Sequence, residues 1–147
     1  MNGERLMPMI DVYAPAGLLP TSSHRSLAEQ LTTALIHAEG HEVVEPFASN
    51  TAAYVHELPA DAVHTAVTDS AQVVRVEVLT PPGALTRDGQ REVVSETTRI
   101  VAEIANDPTL IERTWVLLKE AAEGGWGMRG VALGHEEFAA LAKAAAA

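Results

Sequence analysis

Apolar positions along the chain change period several times, and each change marks an element. From Met9 to Ala14 they alternate as in a half-buried strand, until Pro15-Ala16-Gly17 breaks the pattern. Thr21 or Ser22 is the expected N-cap of a helix in which Leu27, Leu31, Ala34, Leu35 and Ala38 recur at three- and four-residue spacing, with Gly40 as its stop. His41 to Asn50, containing Pro46, is a loop, and Thr51 to Leu58 is a second strand ahead of Pro59. Residues 59–72 carry no strong period and form a linker. Val73 to Thr80 alternates around Val74, Val76 and Val78 and ends at Pro81-Pro82-Gly83. Thr86 caps a second helix whose stripe is Val93, Val94, Thr97, Ile100, Val101 and Ile104, closed by Asn106-Asp107-Pro108. Thr114 to Lys119 is the last strand of this series, and an alanine-rich helix from His135 to Ala147 closes the chain.

The order is βαβ twice. Corresponding landmarks are separated by 65, 64 and 63 residues (Met9 to Val74, Ser22 to Thr86, Thr51 to Thr114), and Thr51-Ala-Ala-Tyr-Val-His-Glu57 echoes Thr114-Trp-Val-Leu-Leu-Lys-Glu120 at both ends. A tandem repeat within residues 1–147 predicts one domain: a first unit over 8–58, the linker 59–72, a second unit over 73–130 and the terminal helix within 131–147. Two such units, with outer strands long enough to pair, predict an α/β fold (an α+β sandwich) with one four-stranded sheet and both helices on one face. The other face, expected to be rich in Val, Leu and Ala, needs a cover, most simply the same surface of neighbouring subunits.

Composition narrows the function. With 147 residues and nearly half of them apolar, the chain can bury an ordinary core. A formal charge of −10 with scattered lysines and arginines argues against nucleic acid and against an anionic membrane surface. There is no cysteine, no apolar run of spanning length and no basic-then-apolar signal, so a cytoplasmic protein is expected. No metal site or cofactor is expected: Gly40 ends the helix between His37 and His41, and Gly124-Gly125-Trp126-Gly127 lacks the lysine and following helix of a phosphate loop.

The stretch Met7-Pro8-Met9-Ile10-Asp11-Val12-Tyr13 carries the candidate chemistry. A methionine followed by proline is normally trimmed. If Met7 is the true start, Gly3-Glu4-Arg5 belongs to a purine-rich leader and the mature chain begins with a secondary amine. An α-amino group has a reference pKa of about 8, and an apolar pocket lowers it by penalising the charged form, so this nitrogen can act as a general base. If residues 1–7 are retained, it is a tertiary amide with no available lone pair.

Pro-Met-Ile-Asp-Val-Tyr at the head of a βαβ repeat resembles the tautomerase superfamily, which contains 4-oxalocrotonate tautomerase and macrophage migration inhibitory factor. Arg113 to Gly130, a strand followed by Gly-Gly-Trp-Gly, is similar to the family's second strand and aromatic-glycine turn. The length and duplication resemble the fused type seen in cis-3-chloroacrylic acid dehalogenase and malonate semialdehyde decarboxylase. The resemblance implies a homotrimer and a cofactor-independent tautomerase or isomerase in which Pro8 moves a proton on a small carbonyl or carboxylate substrate. It also implies arginines that bind and polarise the substrate. The turn Pro81 to Thr86 lacks the family's arginine, and the strand arginine is replaced by Trp115, or by Ala52 in the first half. Arg75 and Arg87 are the available substitutes, Trp126 stands where the family keeps a pocket aromatic, and Trp115 completes the candidate substrate residues. Glu120 and Glu123 do not match the dehalogenase's water-activating carboxylate, so hydration is not expected. The competing readings are a non-catalytic trimeric small-ligand-binding protein with Pro8 blocked by residues 1–7, and a ferredoxin-like regulatory module.

Overall fold

The computed structural model describes residues 7–40, 42–45, 48–69 and 71–146. The expectations placed on residues 1–6, His41 and Pro46 lie outside them. The strands are β1 (Met9–Pro15), β2 (Ala52–Leu58), β3 (Val74–Thr80) and β4 (Thr114–Glu120), with helices α1 (His24–Ala38) and α2 (Arg87–Ala105) between them. A short hairpin, β5 (Trp126–Met128) and β6 (Val131–Leu133), precedes α3 (His135–Ala146).

The four-stranded sheet has the order β2-β1-β3-β4. Within each half the strands are parallel, and the halves join through the antiparallel pair β1 and β3, with Val12 opposite Val76. The joining strands are thus the first of each unit, central in the assembled sheet, and the second strands are its edges. Ile10, Val12, Ala14, Val74, Val76 and Val78 all point to one face, where they pack with Leu27, Leu31 and Leu35 of α1 and Val93, Ile100 and Val101 of α2. A β-branched, period-two strand meeting a four-residue leucine repeat gives two complementary apolar surfaces.

The caps fix where the helices begin and end. Thr21–Ser23 forms a 3-10 turn and Ser23, not Thr21 or Ser22, is the N-cap of α1; its hydroxyl donates to the Pro20 carbonyl instead of accepting from the helix. Thr86 caps α2 as expected, accepting from the Gly89 N–H at 3.0 Å. Gly89 is buried where a Cβ would stand 3.2 Å from the Ala38 carbonyl, so its lack of a side chain lets the first turn of α2 approach the end of α1. At the other end of α2, Asn106 takes the left-handed conformation with φ 52°. Val94, assigned above to the buried stripe, is 38% exposed; the stripe runs through Val93, Thr97, Ile100 and Val101.

The opposite sheet face is not the Val, Leu and Ala surface expected. It carries cross-strand rows of mixed character: Trp115, Arg75, Tyr13 and His56 in one, Leu117, Glu77, Asp11 and Tyr54 in the next. His56 Nε2 lies 2.7 Å from Asp11, its ring stacks on Tyr13 at 4.5 Å, and the Arg75 guanidinium sits 4.7 Å above the same tyrosine ring. Glu77 pairs with Arg75 and Lys119, each at 3.3 Å. Tyr54, Leu79, Trp115 and Leu117 remain exposed among them.

A second, smaller core forms where the chain enters β1. Met7, Trp126, Leu133 and Phe138 are buried together, with Met9, Ala121, Met128 and Leu141 packed against them. The hairpin that delivers Trp126 turns through Arg129 and Gly130, both at positive φ (55° and 78°), as a two-residue primed turn requires. The terminal helix therefore covers the head of β1 through Phe138.

Loss of the Thr86 hydroxyl leaves an N–H of the first turn unsatisfied, so Thr86→Ala is expected to lower the unfolding free energy by about 1 kcal/mol. Urea unfolding of the variant beside the parent chain measures this.

Candidate functional site

Pro8 is buried at the head of β1, its carbonyl accepting from the Ala52 N–H at 3.3 Å. Register places Met9 opposite Leu79, so the turn after Thr80 lies at this same end of the sheet. The residue before it, Met7, holds φ 105°, a sterically costly value outside glycine, while its side chain is buried in the second core. Trp126, 6% exposed, belongs to that same cluster. The structure thus brings Pro8 and Trp126 to one apolar neighbourhood, with the indole filling space beside Met7.

The other candidates stand elsewhere. Arg75 and Trp115 are cross-strand neighbours and line a cavity of about 230 Å³ with Tyr13, Leu58, His64 and Val73. Arg75 pairs with Tyr13, five residues along β1 from Pro8, so at strand rise it lies roughly 17 Å from Pro8 of its own chain. Arg87 is the exposed first residue of α2 and donates to Gln90 Oε1 at 3.2 Å. Glu120 accepts from the Gly83 N–H and Glu123 from the His135 N–H, so both carboxylates serve turns and a helix start. Among the described residues no three His, Asp or Glu side chains could hold a metal ion together, and no helix is long and apolar enough to cross a membrane.

A residue absent from the sequence candidates lies at this end of β1. Glu39, the C-cap of α1, is 7% exposed; the Met7 main-chain N–H lies near enough to favour its ionised form, yet neither carboxyl oxygen has a hydrogen-bond partner among the described residues. Burial pushes its pKa up to about 8; the Met7 N–H pulls it down by less. Among the described residues no charged side chain adds to this balance. Ionising an unpartnered buried carboxyl costs several kcal/mol, so the acid stays protonated near neutral pH. A sequence signal existed: Leu27, Leu31, Leu35 and Glu39 keep one spacing of four, so the glutamate extends the buried stripe.

With the geometry established, the chain can be set beside known proteins. No family model matches it, and no curated protein does. Solved structures match along most of its length. A fused 4-OT wild-type symmetric trimer, Q0, superposes with a TM-score of 0.73 at 19% identity, covering 88% of this chain and 97% of its own. N1, a member of the cis-3-chloroacrylic acid dehalogenase (cis-CaaD) family, gives 0.65 at 22%, covering 83% and 80%. Macrophage migration inhibitory factor of Toxoplasma gondii gives 0.66 at 12%, covering 82% and 96%. At these identities the likeness establishes architecture: the fold is that of the tautomerases. More particularly, it is the two-repeat fold of the fused 4-OT type.

The Glu39 shift sets a pH dependence for the chain carrying Met7. The folded-state pKa lies above the ordinary carboxyl value, so the folded state holds the extra proton between about 4.5 and 8. Stability from this group is fully present below the lower value and is lost as pH rises through the upper one. Urea titrations at pH 5 and 9 should show the parent losing on the order of 3 to 5 kcal/mol more than Glu39→Gln does. Equal losses in the two proteins would refute the assignment.

Proposed function

We propose that this protein is a cofactor-independent tautomerase or isomerase that moves a proton on a small keto/enol acid, with Pro8 as general base once residues 1–7 are removed. The observation that carries this reading is the position of Pro8: buried at the head of β1, next to the Trp126 cluster, in the fused 4-OT fold. Removal of the preceding residues converts its nitrogen from an amide into a secondary amine, and the apolar surroundings favour the neutral form that has a lone pair. Keto-enol transfer then needs one further element, a donor that holds the enolate oxygen. Support of a chemical kind comes from another protein of this fold, Pt0534 (TM-score 0.71, 20% identity, 84% of this chain, 93% of its own), whose structure is of a form inactivated by 2-oxo-3-pentynoate, a small keto compound.

The substrate cations follow from distance. Arg75 and Trp115, some five residues along the sheet from their own Pro8, can meet a substrate held there only from another subunit. A homotrimer supplies one, as in the fused 4-OT structures described as trimers, and Tyr54, Leu79, Trp115 and Leu117 give the open face apolar surface to cover. Within the chain, Arg87 at the start of α2 and Lys119, in the Met9–Leu79 row and paired with Glu77, are cations at the same end of the sheet. In the non-catalytic alternative, residues 1–7 stay and Met7 keeps its place in the cluster ahead of an acylated Pro8.

Intact mass of protein made from its native gene separates these, with an expected chain beginning at Pro8. 3-Bromopropiolate should label that proline, and phenylenolpyruvate should be turned over. Pro8→Ala should abolish labelling and lower turnover by at least about 100-fold. A mass that includes residues 1–7, or turnover unaffected by Pro8→Ala, would sink the proposal.

A further inference from the structure

Glu39 is the feature of this molecule that its folding does not account for. Its two carboxyl oxygens and the Thr97 hydroxyl are the side-chain polar atoms buried without a hydrogen-bond partner among the described residues. A helix C-terminus is a poor place for a carboxyl, since it adds negative character to unsatisfied carbonyls. The position would suit glutamine or methionine better on stability alone. What the carboxyl faces is the main chain of Met7, and the Pro8 nitrogen lies only about 3 Å further along the backbone from the Met7 nitrogen.

We propose that Glu39 is the acid-base partner of Pro8: once residues 1–7 are gone, the ring nitrogen and the Glu39 carboxyl share one proton, and Glu39 is the acid that protonates the substrate. This rests on the proposed tautomerase function and names the group that reading left open. In a water-poor cavity the ammonium-carboxylate pair loses its advantage, and it is matched in population by the uncharged tautomer, amine beside carboxylic acid. That tautomer leaves the nitrogen lone pair free and arms the acid. In the forward step the carbon-bound proton passes to Pro8: the C–H bond breaks, an N–H bond forms and the electron pair moves into the enolate. The Glu39 O–H bond then breaks and its proton bonds to the substrate at the second atom. The substrate has lost one proton and gained one. Transfer of a proton from the Pro8 ammonium to the Glu39 carboxylate restores both groups, and no outside reagent is consumed.

The groups around this pair are few. Among the described residues no charged side chain acts on Glu39 from α1, α2, β1 or β2, and Met7, whose main chain it faces, has its side chain in the apolar Trp126 cluster, so Pro8 and Glu39 titrate as a coupled pair.

The test is an NMR titration of the native-gene protein labelled with 15N at proline and 13C at the glutamate carboxyls. The Pro8 nitrogen and the Glu39 carboxyl should each report the same two steps. In Glu39→Gln the upper step should vanish, leaving Pro8 to titrate once, at least one pH unit lower, with the pH profile of 3-bromopropiolate labelling moving by the same amount. Labelling should persist in that variant while phenylenolpyruvate turnover falls about 100-fold. A Pro8 titration unmoved in a folded Glu39→Gln protein overturns this inference and leaves the catalytic proline standing. Independent single-step curves for the two groups in the parent protein do the same, and need no variant. Failure of the parent to be labelled at all overturns both.

Discussion

The antiparallel pairing of β1 with β3 is the constraint on which the rest depends. It joins the two halves and sets Ile10, Val12 and Ala14 beside Val78, Val76 and Val74 on the face the helices cover. A slip of one residue would turn every one of these side chains to the other face, so the core enforces the register. The register carries a cost on the open side, where Asp11 stands directly opposite Glu77. Like charges so placed repel. Each is offset locally, Asp11 by His56, Glu77 by Arg75 and Lys119, which explains why polar side chains occupy a surface expected to be aliphatic. Because the pair is antiparallel, it also sends the heads of β1 and β3 to opposite ends of the sheet. That is why Pro8 and Arg75 lie apart within one chain.

The head of β1 is closed by elements from the far end of the sequence. Trp126 arrives on the β5–β6 hairpin, Leu133 follows it and Phe138 comes from α3, so the last quarter of the chain builds a lid over the first residues described. In the chain that carries Met7, an indole and a phenyl ring pack against its side chain and bury it. The raised pKa of Glu39, whose burial is at the same end of β1, follows from loss of solvent.

Much of the fold was legible because it is local. Alternation at Val74, Val76 and Val78, the four-residue leucine spacing of α1 and the Thr86 and Asn106 caps each sit within a few residues of the structure they specify. The duplicated order then left few ways to assemble the sheet. The hairpin was hidden, since three-residue strands show no period and Gly124-Gly125-Trp126-Gly127 reads equally as a turn. The open face was misjudged because its Asp11, His56, Arg75 and Glu77 are far apart in sequence and become partners only through the register. Glu39 escaped for a related reason: a glutamate beside a helix-ending glycine has an ordinary solvated explanation, and only continuing the Leu27-Leu31-Leu35 stripe by one turn shows that it points inward.

The two halves share a plan yet differ where chemistry is concentrated. At the head of β3 the residue corresponding to Pro8 is Val73, which lines the Arg75–Trp115 cavity. The helices differ as well: α1 has 15 residues and α2 has 19, one additional turn of about 5–6 Å. A seven-residue strand spans roughly 23 Å, close to the length of α1, so α1 ends level with the head of β1 and its C-cap is buried there. The longer α2 overshoots its strand, and its C-cap, Asn106, turns out into solvent. The shorter helix thus ends in a buried C-cap and the longer one in an exposed C-cap. The half that opens with Pro8 is also the half that buries Glu39, and the other has Val73 at its strand head and an exposed Asn106 at its helix end.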